Sequence, residues 1–286
     1  MNIIKADVLG MCFGVKDALA LIDTVRQPRA VTIHGELVHN EKVLDQLHDQ
    51  GFRMLGESQR RSLPLTDTVL ITAHGVSQAE RRRLVDAGKQ LLDTTCPLVT
   101  RAHHAAQKLQ AEGCHVLVVG KRGHVEVQGI IEDLTSFDVI QSLDEVKTYP
   151  HRKLGVMCQT TTQVSHADAV RDAIAARNPH ADIRWLDTIC HPTKDHQKAL
   201  EKLLDEVEAV VVVGGRNSNN TRQLAVRCAE RGLPAWHVQG PEDLQPEWFD
   251  GVESVGLTAG TSTLDETIDA VQEALERIAA DRHVLA

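Results

Sequence analysis

The sequence is poor in aromatic residues and contains no long apolar stretch and no large basic cluster. Aromatic residues make up 3% of the 286 residues, so Val, Leu, Ala and Ile must fill the core. No apolar run approaches the ~18 residues that a membrane-spanning helix needs. The formal net charge is −9 and no basic run is longer than Arg81–Arg83. This balance argues against partners such as nucleic acid or an anionic membrane surface.

Further absences limit the choice of cofactor and compartment. No Walker A sequence and no G-x-G-x-x-G pattern is present, so no nucleotide cofactor is indicated. The start, Met1–Asp7, has neither the basic nor the apolar region of a signal peptide, which favours a cytoplasmic protein. None of the cysteines stands in a C-x-x-C pattern, which is typical of zinc fingers and thioredoxin-like enzymes. Because disulfides are uncommon in a reducing cytoplasm, metal ligation or burial remains for these thiols.

What the chain does contain is one pattern repeated three times. Cys12, Cys96 and Cys190 each follow a predicted strand and precede a predicted helix. The next strand of each copy ends near a glycine that follows the cysteine by 23, 24 and 24 residues, at Gly35, Gly120 and Gly214. A later strand in each copy ends in a polar loop: T-A-H-G-V-S (72–77), C-Q-T-T-T (158–162) and T-A-G-T-S (258–262). Similarity at a fixed period indicates three repeated structural units.

Strand-like and helix-like patterns alternate along the chain. Val- and Ile-rich runs predict buried parallel strands at 68–71, 115–119, 138–140, 153–157, 209–213 and 254–257. The patterns between them predict helices at 77–87, 99–112, 165–177, 195–207, 221–231 and 264–280. We predict an α/β protein of three pseudo-threefold-related units with parallel sheets, over residues 1–94, 95–188 and 189–286. Ligands bind at the carboxyl ends of such strands, where the polar loops fall.

The equivalent placement of Cys12, Cys96 and Cys190 predicts that the three thiolates meet at one metal site. Three thiolates suit either zinc with an open fourth position or a 4Fe-4S cluster in which one iron lacks a cysteine. Catalytic zinc usually takes mixed ligands, so the three thiolates favour iron–sulfur. Simple burial is the alternative, since cysteine is often buried. We assign that packing role to the remaining cysteines, Cys114, Cys158 and Cys228.

Polar residues of the loops form a candidate anion pocket. His39, His74 and His124 each stand near a predicted helix start, where imidazoles and unpaired N–H groups can bind an anion. The third copy has the string G-G-R-N-S-N-N-T (214–221) between a strand and a helix, and its side chains can donate to phosphate oxygens or merely cap the helix. The donors there are Ser218, Asn219 and Asn220, and Ser262 stands in the loop equivalent to that of His74.

A candidate acid follows closely. Glu126 stands two residues after His124, and a carboxyl beside an anion pocket suits proton donation. Thr160 or Thr161 could relay or orient that proton. The alternative for Glu126 is a solvated acid in the first turn of a helix.

These motifs together resemble the LytB/IspH family of 4-hydroxy-3-methylbut-2-enyl diphosphate reductases. The resemblance runs from about residue 5 to residue 280 and rests on nine motifs in order: G-M-C-F-G-V, E-L-V-H-N, A-H-G-V-S, D-T-T-C-P-L-V, G-H-V-E-V-Q-G, Q-T-T, D-T-I-C, N-S-N-N and T-A-G-T-S. It implies a trefoil of three α/β units around a central iron–sulfur cluster. The string after Cys190, H-P-T-K-D-H-Q, departs from the more polar run of many members, and S-N-N replaces the common S-S-N.

The resemblance also implies a reaction and its site. Cys12, Cys96 and Cys190 would hold the 4Fe-4S cluster, Glu126 would deliver protons, and Thr160 would lie beside it. The diphosphate of the substrate would be bound by His39, His74, His124, Ser218, Asn219, Asn220 and Ser262. The substrate would lose its hydroxyl as water and give isopentenyl or dimethylallyl diphosphate in the last step of the non-mevalonate pathway. Ferredoxin or flavodoxin would supply the electrons.

Three alternatives remain open on the sequence alone. Another threefold, three-cysteine enzyme, similar to quinolinate synthase or to the diphthamide-forming enzymes, would share the architecture, although their site motifs are not visible here. A non-catalytic iron–sulfur sensor or electron carrier would need neither the anion pocket nor Glu126. A zinc-binding module would be colourless, whereas a 4Fe-4S protein is brown.

Overall fold

The computed structural model describes residues 1–285, with side chains up to residue 281. Within them, twelve strands alternate with nine α-helices. The strands are β1 (Asn2–Lys5), β2 (Val31–His34), β3 (Arg53–Leu55), β4 (Thr68–Ile71), β5 (Gln90–Asp93), β6 (His115–Val119), β7 (Phe137–Ile140), β8 (Lys153–Cys158), β9 (Asp182–Leu186), β10 (Ala209–Val213), β11 (Ala235–Val238) and β12 (Ser254–Ala259). The helices are α1 (Phe13–Asp23), α2 (Glu41–Asp49), α3 (Gln78–Asp86), α4 (Pro97–Ala111), α5 (Val125–Ile131), α6 (Val164–Arg177), α7 (His191–Leu204), α8 (Asn219–Glu230) and α9 (Asp265–Leu285).

The strands form three four-stranded sheets in which every pairing is parallel. Their orders are β3-β2-β4-β5, β7-β6-β8-β9 and β11-β10-β12-β1. The three orders are equivalent, with the amino-terminal strand β1 in the third sheet standing where β5 and β9 stand in the other two. The prediction of an α/β fold with three parallel sheets is therefore confirmed.

The repeated glycines occupy equivalent places in these sheets. Each follows the second strand in the order given above (β2, β6 or β10) and donates its N–H to the last residue of the adjacent edge strand. The bonds are Gly35 N to Leu55 O at 3.0 Å, Gly120 N to Ile140 O at 3.0 Å and Gly214 N to Val238 O at 2.9 Å. The spacing found in the sequence therefore corresponds to a repeated hydrogen bond at the carboxyl end of each sheet.

Central strands are buried on both faces, which explains their continuous apolar sequences. In β6, Val116 and Val118 belong to the same apolar cluster as Ala102 and Leu109 of α4. The alternate residues Leu117 and Val119 pack with α6 on the other face. Gly155 of β8 permits close contact with α4, because a Cβ there would lie 2.9 Å from Leu109.

By contacts between residues, the chain divides into two compact units. The first consists of Met1–Phe13, His39–Lys42 and the segment from His191 onward, and it contains the sheet β11-β10-β12-β1. The second consists of Gly14–Val38 and Val43–Cys190 and contains the other two sheets. The division into residues 1–94, 95–188 and 189–286 remains a prediction, and its last residue lies outside the described part of the chain. No helix within residues 1–285 is long and apolar enough to cross a membrane.

Local differences from the predicted elements have simple causes. Helix α7 begins at His191 rather than near 195, because Pro192 is tolerated in a first turn where its missing N–H costs nothing. A helix start was expected after Cys12 and near His39 and His124, but the patterns gave no bounds for α1, α2 and α5. Strand β1, Asn2–Lys5, is the strand that was predicted ahead of Cys12.

Candidate functional site

Each cysteine of the repeat lies immediately before a helix at the carboxyl end of a sheet. Cys96 is the N-cap residue of α4, and Cys12 and Cys190 directly precede α1 and α7. Unpaired N–H groups and the dipole of a helix start favour negative charge, which lowers the cost of forming a thiolate. All three positions therefore suit cysteines that act as metal ligands.

The backbone at the three cysteines makes the same hydrogen bond in each copy. In every case the cysteine N–H donates to a carbonyl in the polar loop that follows the adjacent strand. The bonds are Cys12 N to Thr261 O at 2.9 Å, Cys96 N to Ala73 O at 3.1 Å and Cys190 N to Thr160 O at 3.0 Å. Each cysteine is thus fixed beside the polar loop that carries a predicted ligand-binding residue.

The shared string D-T-x-C has a structural cause. Thr94 Oγ1 donates to Ile71 O at 2.6 Å, and Thr188 makes the equivalent bond to the carbonyl of Cys158. The preceding aspartate accepts a backbone N–H two residues later, as Asp93 Oδ1 does from Thr95 N at 2.9 Å. The Asp and Thr side chains therefore hold the turn that presents the cysteine.

Burial separates the two groups of cysteines. No disulfide joins them; Cys12, Cys96 and Cys190 are partly exposed, whereas Cys114, Cys158 and Cys228 are buried. Burial raises the pKa of the Cys228 thiol to about 12 and also raises that of Cys114. A buried protonated thiol is a poor ligand, since metals bind the thiolate. Each of the three partly exposed cysteines therefore has the setting of a thiolate that can bind a metal.

Gly14 provides space beside one of these thiols. A Cβ at Gly14 would lie 2.6 Å from Cys96 Sγ and 3.3 Å from its Cβ, far closer than normal contact.

Within residues 1–285, no group of three or more His, Cys, Asp or Glu stands close enough together to hold a single metal ion.

His74, His124, Glu126 and Thr160 lie together in the second unit. The rings of His74 and His124 are 5.7 Å apart between centroids and meet edge to face. His124 is the N-cap residue of α5, and its Nδ1 accepts the Glu126 N–H at 3.2 Å. The motif H-V-E therefore places the imidazole and the carboxyl side by side at a helix start.

The Glu126 carboxylate is fixed by two donors from one residue. Thr160 N donates to Oε1 at 2.7 Å and Thr160 Oγ1 donates to Oε2 at 2.8 Å. Glu126 is 2% exposed and Thr160 is 4% exposed, so the alternative of a solvated helix acid is wrong. Because Cys190 also binds the Thr160 carbonyl, a single residue joins the acid to one of the predicted cluster ligands.

Ser218, Asn219 and Asn220 lie at the start of α8 in the first unit. Ser218 is the N-cap residue, and its Oγ accepts the Thr221 N–H at 3.2 Å. Asn220 is 3% exposed, and neither Nδ2 nor Oδ1 of its amide has a hydrogen-bond partner in residues 1–285. An unpaired buried amide is costly. A ligand oxygen at this helix start would offset that cost, which simple capping does not do.

His39 and Ser262 also lie together in the first unit. Ser262 Oγ is 3.4 Å from His39 O, and Asn40 Nδ2 donates to Ser262 O at 2.7 Å. Gly215 packs so tightly here that a Cβ would lie 2.5 Å from His39 O. The chain after β10 is thereby held against the E-L-V-H-N segment.

Two residues of the site were not singled out from the sequence. Asn40 belongs to a predicted motif but was not assigned a role, although its buried side-chain amide donates to the Ser262 carbonyl. Gln159 is fully buried, and its Oε1 accepts the Lys121 N–H at 3.0 Å, close to the His124 turn. A polar residue directly after a buried strand was the available signal for Gln159.

Comparison with known proteins shows the family to which this chain belongs. The family model described as LytB protein matches residues 3–276. The chain belongs to the LytB family. A relative from Geotalea uraniireducens, named 4-hydroxy-3-methylbut-2-enyl diphosphate reductase, is 34% identical over 287 residues, which cover 99% of this chain and 100% of the relative. The resemblance noted in the sequence is therefore confirmed at the level of the family.

Two solved structures extend the comparison to the fold. The E-1-hydroxy-2-methyl-but-2-enyl-4-diphosphate reductase from Plasmodium falciparum matches with a TM-score of 0.88 and 23% identity, over 96% of this chain and 87% of that one. A structure of (E)-4-hydroxy-3-methyl-but-2-enyl diphosphate reductase, described as the terminal enzyme of the non-mevalonate pathway, matches with a TM-score of 0.65. It is 31% identical and covers 97% of this chain and 100% of that chain.

Proposed function

We propose that this protein is a 4-hydroxy-3-methylbut-2-enyl diphosphate reductase. It would convert its substrate into isopentenyl and dimethylallyl diphosphate in the last step of the non-mevalonate isoprenoid pathway. The observation that carries this proposal is the match to relatives of that name along 97–100% of their length. The repeated cysteine turns and the buried Glu126–Thr160 pair give it a chemical basis.

The proposed cofactor is a 4Fe-4S cluster held by Cys12, Cys96 and Cys190, with one iron not bound by cysteine. Its support is the equivalent placement of the three partly exposed thiols at helix starts. When bound, such a cluster supplies electrons and an iron with an open position for a substrate oxygen.

The diphosphate would be bound by two sets of donors. One set comprises His39, Ser218, Asn219, Asn220 and Ser262, and the other comprises His74 and His124. The start of α8 contributes backbone N–H groups and a favourable dipole for phosphate. The unpaired amide of Asn220 supports this assignment, because Nδ2 can donate to a phosphate oxygen.

Glu126 would supply a proton to the substrate, with Thr160 holding its carboxyl. Removal of the hydroxyl consumes two electrons and two protons: the C–O bond breaks, the oxygen leaves as water and a new C–H bond forms on the allyl fragment. A positioned acid accelerates such a step by roughly 10²–10⁴-fold. Thr160 is suited to the role because its hydroxyl can donate to the carboxylate and accept from the protonated acid.

The electrons would come from ferredoxin or flavodoxin, which match a one-electron iron–sulfur acceptor. We place the reaction in the cytoplasm, because the absence of disulfides among the six described cysteines fits a reducing compartment.

One experiment tests the proposal. Protein purified without oxygen is mixed with viologen reduced by dithionite and with 4-hydroxy-3-methylbut-2-enyl diphosphate. We expect a brown protein, oxidation of two viologens per substrate and both isoprenoid diphosphates as products. A brown protein without turnover would indicate a sensor or electron carrier instead, and a colourless protein with zinc would indicate the zinc-binding module.

A further inference from the structure

Arg60 lies between two loops at the carboxyl end of the β3-β2-β4-β5 sheet. Its side chain is only 16% exposed, and Nε lies 2.9 Å from Glu57 Oε2. Nη2 donates to Thr72 Oγ1 at 3.2 Å. Since Thr72 is fully buried, this contact reaches the interior of the sheet end rather than its surface.

The partner carboxylate connects Arg60 to the chain after β2. Glu57 Oε1 accepts the Glu36 N–H at 2.9 Å. Gly35, with φ of +109°, lies directly against the pair, and a Cβ there would be 2.7 Å from the Arg60 guanidinium. The Arg60–Glu57 pair therefore ties the segment after β2 to the segment after β4.

Thr72 is the first residue of the loop that carries His74. Its carbonyl accepts the Gly75 N–H at 2.9 Å, which closes a turn around His74. The next residue, Ala73, donates its N–H to Leu37 O at 3.3 Å. A bond to the Thr72 side chain therefore acts on the start of the turn that sets the direction of the imidazole.

Arg83, Glu80 and His34 form a second polar group, which contacts the backbone of Arg60. Arg83 Nη2 donates to Arg60 O at 3.2 Å, and its guanidinium also binds both oxygens of Glu80 at 2.7 Å. The buried His34 binds Glu80 at 2.8 Å through Nε2. Burial lowers the pKa of His34. Burial alone would raise the pKa of Glu80, but the bonds from Arg83 outweigh it and lower that pKa.

We propose that Arg60 is a positioning residue that fixes the turn of His74 for binding of the substrate diphosphate. The inference rests on the proposed function. If the Arg60–Glu57 ion pair served only the stability of the fold, its loss would not act selectively on the loop that carries His74. Arg60 instead contacts Thr72 and, through Glu57, the backbone that follows β2, and both lead directly into segments with predicted diphosphate ligands.

The most selective test removes the acceptor and keeps the shape. Thr72→Val deletes the hydroxyl that Arg60 binds, whereas Thr72→Ser retains it. We expect Thr72→Val and Arg60→Ala to raise the KM for the diphosphate on the order of tenfold, as expected for loss of a charged hydrogen bond. The kcat and the visible absorbance of the cluster should stay within about twofold, and Thr72→Ser should restore the KM. Arg61→Ala, an exposed neighbour, is the control.

A double variant tests whether the effect passes through His74. If it does, Thr72→Val should have little further effect on KM in a His74→Phe protein, because coupled residues are not additive. An unchanged KM in both Thr72→Val and Arg60→Ala would overturn the inference, as would full additivity with His74→Phe. If Arg60→Ala does not fold, the comparison of KM between Thr72→Val and Thr72→Ser still tests the inference. A wild-type protein without turnover would overturn the proposed function itself, and this control separates the two failures.

Discussion

Thr160 donates two hydrogen bonds to Glu126, one to each carboxylate oxygen, at 2.7 Å from its backbone N and 2.8 Å from its hydroxyl. This arrangement holds the carboxyl plane in one orientation with little side-chain freedom. It also leaves a proton exchange path, because a hydroxyl can donate and accept at once.

Glu126→Gln should preserve the cluster and substrate binding while slowing turnover at least ~100-fold. The amide keeps the shape, its oxygen can accept the Thr160 N–H, and its NH₂ can donate to the Thr160 hydroxyl, but it has no proton to transfer. The measurement is steady-state reduction under anaerobic conditions together with substrate binding. Glu132→Gln, an exposed acid just after α5, is the matched control. Near-normal turnover would show that the proton comes from elsewhere, and lost binding would make Glu126 a positioning residue.

Replacing each cysteine by serine should divide the six into two groups. Cys12→Ser, Cys96→Ser and Cys190→Ser should abolish or cripple the cluster, because a hydroxyl does not replace a thiolate ligand of iron. Cys114→Ser, Cys158→Ser and Cys228→Ser should retain iron, since these thiols are buried and none of them directly precedes a helix. Iron content and visible absorbance measure the outcome. Equal loss in all six variants would refute the argument from the repeats.

Gly14→Ala should weaken the cluster without removing a ligand. The added methyl would stand 2.6 Å from Cys96 Sγ, so the thiol or the start of α1 must move. We expect faster loss of iron to a chelator than in the wild type. Gly56→Ala is the control, because the nearest atom to its Cβ would be Gln59 Oε1 at 4.0 Å. Equal rates of iron loss in the two variants would show that the position of Cys96 is not critical.

Replacing His39, His74 or His124 by Phe should raise the apparent KM or weaken binding and leave the cluster spectrum intact. Ser218→Ala should have a smaller effect, on the order of 1 kcal/mol for one neutral hydrogen bond. His124→Phe should also destabilise the fold by about 1 kcal/mol, because His124 caps α5. The exposed His48→Phe serves as control. Histidine variants that bind substrate normally but lose iron would assign these residues to the metal.

His103 should make the protein less stable in mild acid. Burial lowers its pKa to about 4, below the usual value of 6.5, so the unfolded chain takes up a proton first as the pH falls. The stability present above pH 6.5 should decline toward pH 4, by about 2 kcal/mol between pH 7 and pH 5. His103→Gln should lose this part of the pH dependence in denaturant unfolding, whereas the exposed His104→Gln should retain it. Parallel pH profiles for wild type and His103→Gln would contradict the prediction.

The sequence predicted the sheets better than the contacts of the site. Runs such as 115–119 and 209–213 are fully buried strands with the predicted bounds, because continuous Val-rich segments fit central parallel strands. A helix start was expected at His124, but no range was predicted for the seven-residue helix α5, since so short a helix shows no clear period. The bond between Glu126 and Thr160 joins residues 34 positions apart, and Arg60 contacts Thr72 across a loop. Such pairings depend on tertiary structure, which motif order does not specify.

The place of β1 has a consequence for synthesis of the chain. Its residues Asn2–Lys5 pair with Ser254–Leu257 of β12, so an early strand must wait for one of the last. At roughly 5–20 residues per second, that wait is on the order of 12–50 s on the ribosome. Cys12 shares this delay, because its backbone partner is Thr261. The surroundings of Cys12 are therefore completed only after about 250 further residues have been added to the chain.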